Sequence, residues 1–345
     1  MRNVIIPDKI TISCNKGIKE LPYFSIGEVI DKKIFEPKKE QYKINLNIVK
    51  DPKDYFNEEL NYFFSNYKIG HNSIYYERSY LKLKCKLYVE NLLDDNFKVY
   101  INKNYLDFVR VKIDNLYPAG NHLKDILLTK IIASGDLIVH ASSLHNLNTN
   151  DSFLCIAPPD TGKTYTTLTL LKDKHKYKFL GEDLSYYDGK KDELYCVPFT
   201  STFGQSFDFS AIDLLVKVPM IGALLTKKRK IITDLFGKDC IIKSSKLSRV
   251  YVLEKSKEDS LTKTNLQDVI EKIMTIHRNE FSYFKNPLLR AFEYHNNDKI
   301  NIDNIYYKEK ENFIKLLSDK SLYIVKAKSY DNFHEIINRN EDLLK

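Results

Sequence analysis

The chain has 345 residues, is 43% hydrophobic and carries a formal net charge of +8. That is enough apolar material for one large domain or two smaller ones. The positive balance suits an acidic or phosphorylated ligand but is not by itself a nucleic-acid signature. Five widely spaced cysteines, Cys14, Cys85, Cys155, Cys196 and Cys240, exclude a disulfide framework and show no zinc spacing.

Neither a signal-peptide core nor a membrane span is visible, because no stretch approaches about 18 apolar residues. With thiols read as reduced, the expectation is a cytoplasmic protein without a membrane or nucleic-acid partner. Its oligomeric state is left open.

Residues 1–120 read as a β-rich accessory region. Tyr42, Ile44, Leu46 and Ile48 alternate with polar neighbours, as do Leu81, Leu83, Cys85, Leu87 and Val89. Period two is the mark of a half-buried strand. Phe97, Val99 and Ile101 continue it, then Val109, Val111 and Ile113. Residues 121–134 predict a helix with Leu123, Ile126, Leu127 and Ile131 on one face. Residues 137–144 predict a strand, joined by a turn-rich run at 146–151 to the apolar Phe153-Leu154-Cys155-Ile156.

A helix over 164–171 and a strand over 178–183 ending in Glu182-Asp183 come next. A strand at 194–197 leads into a small-polar loop containing Thr200, Ser201 and Thr202. Another strand covers 248–254, a helix 266–274, a strand 322–325 and a helix 330–337. The expected class is α/β (α+β): a mixed-sheet core over 121–345 behind the 1–120 region.

Residues 157–164 carry the sharpest signal. Ala157-Pro158-Pro159-Asp160-Thr161-Gly162-Lys163-Thr164 matches G-x-x-x-x-G-K-[ST] except at its first position. In that pattern backbone N–H groups, here from Asp160, Thr161 and Gly162 onward, cradle phosphates. Lys163 reaches the terminal phosphates, and the Thr164 hydroxyl ligates Mg²⁺. Pro158 and Pro159 lack an N–H and cannot donate. Asp160 stands where glycine is common, and Asp tolerates a left-handed backbone better than most residues. Strand, loop and helix in this order put the anion at a helix N-terminus. The cofactors expected are ATP and Mg²⁺.

The order of motifs resembles the HPr kinase/phosphorylase-like kinases, which share a nucleotide core with phosphoenolpyruvate carboxykinases. It comprises Val139-His140-Ala141-Ser142, a hairpin, Gly162-Lys163-Thr164, Glu182-Asp183, Pro198-Phe199 and Val250-Tyr251-Val252-Leu253-Glu254. The resemblance covers about residues 121–300. It implies a mixed-sheet P-loop core and an ATP-dependent kinase whose acceptor is a hydroxyl, often a serine of a protein or peptide.

By position it implies that Asp183 is the catalytic base or a metal partner, with Glu182 beside it at the metal. His140 falls next to the transfer centre, and Lys163 and Thr164 hold Mg·ATP. Tyr165 stands where the bifunctional members place Glu, and their Glu-apolar-Arg-Gly-Leu-Gly signature is absent. Kinase activity without the phosphorylase reaction, on an acceptor other than HPr, is therefore expected.

Two other readings compete: a nucleotide-binding regulator with a decayed loop, and a polyanion-binding protein. Arg249 and Arg278 are candidates for a phosphate clamp, and the Lys-Lys-Arg-Lys run at 227–230 is a candidate docking patch. His122, His145, His175, His277, His295 and His334 show no ligand spacing and read as surface residues.

Overall fold

The computed structural model describes residues 2–15, 40–80, 83–110, 117–198 and 232–344. The small-polar loop at Thr200, Ser201 and Thr202 and the basic run at 227–230 lie outside these residues. The chain is a mixed α/β protein that forms two compact units. The first includes Met1–Lys130 and Ser282–Ile305; the second includes Ile131–Phe203, Lys230–Phe281 and Tyr306–Lys345.

The described residues of the first unit build an eight-stranded sheet. Its strands are β1 (Arg2–Ile6), β2 (Ile10–Cys14), β3 (Tyr42–Val49), β4 (Tyr62–Phe64), β5 (Tyr67–Ile69), β6 (Ser73–Tyr80), β7 (Leu83–Glu90) and β8 (Asn96–Asn102). They lie in the order β1-β2-β3-β8-β7-β6-β5-β4. Tyr42, Ile44, Leu46 and Ile48 of β3 are buried on one face, as their alternation predicts. Val109 departs from its predicted strand: it lies in helix α1 (Lys103–Arg110), which continues directly from β8.

Helix α2 (Ala119–Ala133) leads into the second unit, where β9 (Leu137–Val139), β10 (Ala141–Asn146) and β11 (Asp151–Ile156) follow. The predicted continuous strand over 137–144 is thus two strands, broken at His140. Val139 pairs with Ser185, whereas Ala141 pairs with Ile156, so His140 is where the chain changes neighbours. After α3 (Lys163–Leu171) come β12 (Tyr177–Gly181), β13 (Ser185–Asp188), β14 (Glu193–Tyr195) and α4 (Ile232–Phe236). β15 (Ser244–Lys255) and β16 (Ser260–Lys263) complete this run.

Helices α5 (Leu266–Glu280), α6 (Pro287–His295) and α7 (Ile302–Leu317) precede β17 (Ser321–Ala327) and α8 (Phe333–Leu343). The second sheet is mixed: β15 runs parallel to both β11 and β17, while β10–β11 and β14–β15 are antiparallel. Val250, Tyr251, Val252 and Leu253 are buried because β15 is covered on both faces. No described helix is long and apolar enough to cross a membrane.

Candidate functional site

The loop between β11 and α3 takes its shape from two left-handed residues, Asp160 (φ 59°) and Gly162 (φ 118°). Asp160 carries that conformation as its residue type predicts, and Lys255 Nζ donates to its carbonyl at 3.1 Å. Gly162 is the N-cap of α3 and no side chain caps the helix there. An α-helix leaves its first four N–H groups without intrahelical acceptors, so this end is suited to an anion.

Lys163 is buried at the first turn. Its Nζ donates to His140 Nε2 at 2.8 Å and to the Ala157 carbonyl at 2.6 Å. Burial lowers the Lys163 pKa, against an upward pull from Asp183, Glu280 and Glu182. His140 therefore accepts at Nε2 and, when neutral, carries its proton on Nδ1. Burial, the Lys163 charge and His277 together push the His140 pKa down to about 3, so the ring is neutral near pH 7.

Glu182 and Asp183 lie just beyond β12, on a corner so tight that a Cβ on Gly181 would meet the Leu184 carbonyl at 2.3 Å. The sequence reading placed them within the strand; the corner instead turns them back towards α3. Glu182 is buried and accepts a hydrogen bond from Thr164 Oγ1. Asp183 is partly exposed, with Oδ1 3.8 Å from His140 Nε2. All the predicted site residues on this side, His140, Lys163, Thr164, Glu182 and Asp183, thus come together.

Three residues that sequence reasoning passed over join them. Glu280, at the end of α5, brings Oε2 to 3.9 Å from His140 Nδ1. One turn earlier, His277 Nε2 accepts the His140 backbone N–H at 3.2 Å, and its Nδ1 lies 3.0 Å from Glu309 Oε1. The signal available in the sequence was the His-x-x-Glu spacing, which puts both side chains on one helix face.

His277 is 2% exposed, and His122 and His145 are likewise buried, contrary to their reading as surface residues. Each has a polar partner: Asn286 Oδ1 lies 2.9 Å from His122 Nδ1, and Ser245 Oγ lies 2.7 Å from His145 Nδ1.

Arg249 is no phosphate clamp. It is buried on β15, where Nε donates to Glu341 Oε1 at 2.8 Å and Nη1 to Asp151 Oδ2 at 2.9 Å. Arg278 lies against the Tyr306 ring, 4.8 Å from its centroid. All five cysteines are buried and none is in a disulfide, and burial pushes Cys85 and Cys240 up to about 11, so neither is a ready nucleophile.

Among the described residues no three His, Cys, Asp or Glu side chains are arranged to hold a metal ion. Mg²⁺ of the nucleotide-bound kind asks a protein for only one or two oxygens and fills the rest of its shell with phosphate and water. Thr164 Oγ1, Glu182 and Asp183 offer such oxygens. A groove of about 670 Å³ runs from Pro158 and Thr161 along β15 to α5, with Lys255, Lys272 and Lys326 among its walls.

No protein-family model matches this chain, and no curated protein matches it. Among solved structures it is similar to the HPr(Ser) kinase/phosphatase from Coxiella burnetii, at 15% identity over 41% of this chain and 97% of that one, with a TM-score of 0.24. At that TM-score the likeness decides nothing, and the chemistry rests on this chain's own side chains.

Proposed function

We propose that the second unit is a P-loop phosphotransferase core of the HPr kinase and phosphoenolpyruvate carboxykinase type. It would transfer the γ-phosphate of Mg·ATP to a hydroxyl, on a Ser or Thr of a peptide or protein. One observation carries the reading. Lys163, at the uncapped start of α3, lies in a buried cluster with His140 and under the pull of Asp183, Glu182 and Glu280. Phosphoryl transfer asks a protein for positioning and charge neutralisation more than for covalent help.

In this reading Asp160, Thr161, Gly162, Lys163 and Thr164 bind the triphosphate, and Thr164 with Glu182 and Asp183 provides oxygens for Mg²⁺. The metal, when bound, neutralises charge on the transferring group. Lys163 adds a positive charge at the same place. Asp183, the more exposed of the paired carboxylates, accepts the proton of the acceptor hydroxyl as that oxygen bonds to the γ-phosphorus, while the bond from the γ-phosphorus to the β,γ-bridging oxygen breaks and ADP leaves. Neutral His140 holds Lys163 in position.

A second reading, a nucleotide-binding regulator without transfer, is favoured by one feature: Lys163 Nζ is already engaged by Ala157 and His140. Calorimetry with Mg·ATP, wild type against Lys163→Ala, tests both readings. Binding abolished by the substitution supports the loop's role, and absence of binding by folded wild type rejects it. Loss of transfer to a hydroxyl in Asp183→Asn, with binding retained, then separates the kinase from the regulator.

A further inference from the structure

Two aromatic side chains stand in solvent beside the loop and have no part in the cluster just described. Tyr165 is 39% exposed and Tyr330 47%. Their rings lie 5.2 Å apart at 78°. Tyr165 immediately follows Lys163 and Thr164. Tyr330 lies against the loop itself: a Cβ on Gly162 would fall 2.7 Å from the Tyr330 Cβ.

The segment carrying Tyr330 is pinned from outside. Asp259 accepts from the Lys328 backbone N–H at 2.7 Å and from Asn332 Nδ2 at 2.8 Å. Next to Tyr165, at 6.2 Å between centroids, is the His334 ring, whose buried Nδ1 has no hydrogen-bond partner in the described structure.

We propose that Tyr165 and Tyr330 form a stacking platform for the nucleobase of the bound nucleoside triphosphate. The assignment rests on the phosphotransferase reading above. A triphosphate whose terminal phosphate meets Lys163, among His140 and Asp183, has its nucleoside end directed away from that buried cluster. Tyr165 and Tyr330 are the rings at the exposed end of the same loop. Aromatic faces held in water by a rigid frame are suited to stacking on any base. The 670 Å³ groove that begins at Pro158 and Thr161 has no aromatic ring in its wall; Lys272, paired with Glu254 at 2.6 Å, lines it instead.

The test is calorimetry on the full chain with two probes, Mg·ATP and Mg·tripolyphosphate. The latter carries the phosphates without a base. In Tyr165→Ala and Tyr330→Ala, ATP should bind roughly 5- to 150-fold more weakly, the span of base–aromatic stacking. Tripolyphosphate should bind as in wild type, and Tyr165→Phe should retain wild-type affinity for both.

Equal loss of both probes, or no loss of ATP affinity, overturns the platform. So does a selective loss of ATP affinity in Lys272→Ala or Thr275→Val, which would put the base in the groove. Wild type that binds neither probe defeats the phosphotransferase reading itself, and the platform with it. Because Tyr165 is exposed on a helix surface, Tyr165→Ala keeps the test available if Tyr330→Ala fails to fold.

Discussion

His277 Nε2 accepts the backbone N–H of His140 at 3.2 Å, at the one residue where the chain leaves β9 for β10. A buried amide outside a ladder needs such an acceptor. The acceptor is itself fixed, because Nδ1 faces Glu309 and the rings of Phe281 and Phe313 pack edge-on at 4.7 and 4.8 Å. The His140 imidazole, and through it Lys163, takes its position from this side chain.

Each bond lost to a buried polar group costs about 1–3 kcal/mol, so His277→Leu, which loses two, should destabilise the chain by about 2–6 kcal/mol. His277→Gln, which keeps an acceptor near the Nε2 position, should recover part of that. Urea unfolding of the two variants checks the difference; equal losses would mean that the acceptor does not matter.

His140 makes a pH prediction. Its folded pKa of about 3 lies below the unfolded value near 6.5. Between those values the unfolded chain holds a proton that the folded chain does not, so this residue's contribution is full above about pH 6.5 and is lost as pH falls towards 3. The slope is up to about 1.4 kcal/mol per pH unit. Burial also shifts other groups, pushing the Asp125 carboxyl up and so acting in the opposite sense, and the informative quantity is therefore a difference. Wild-type stability minus that of His140→Asn should shrink steadily between pH 6.5 and 4.5. A constant difference would show that the ring is not held neutral.

Arg249 makes a different prediction from the one its charge suggested in the sequence. Its partner Glu341 is fully buried on α8, where it also accepts from Tyr251 Oη at 2.5 Å and Asn146 Nδ2 at 2.8 Å. Removing one member of a buried pair costs about 3–5 kcal/mol. Arg249→Leu should lose about that much in urea unfolding. Arg249→Lys should bind Mg·ATP as wild type does, and a weakened affinity there would restore the clamp reading.

The β3 alternation is a local code and was readable in the sequence. The Gly162-Lys163-Thr164 cluster was readable for the same reason, since its residues are consecutive. His277, Glu280 and Glu309 were not, because His277 and Glu280 reach His140 from α5, more than a hundred residues along the chain, and Glu309 holds His277 from α7. A lone histidine within an amphipathic helix has the same pattern whether it faces water or a buried amide. The break at His140 was hidden too: apolar residues continue on both sides, and only the exchange of strand partners interrupts the ladder.

Gly162 concentrates the loop's constraints in one residue. Its φ of 118° is one that L side chains rarely adopt, and an added methyl would lie 2.7 Å from the Tyr330 Cβ. A strained backbone of this kind costs about 1–3 kcal/mol. The close approach adds to it, since Tyr330 cannot retreat without disturbing the segment held by Asp259. Gly162→Ala should therefore lower global stability by at least that amount, and it should abolish tripolyphosphate binding even under conditions where the variant is fully folded. The two effects are separable by measuring far-ultraviolet circular dichroism and tripolyphosphate calorimetry on the same sample. A folded Gly162→Ala that still binds tripolyphosphate as wild type does would mean that the α3 N-terminus is not where the phosphates lie.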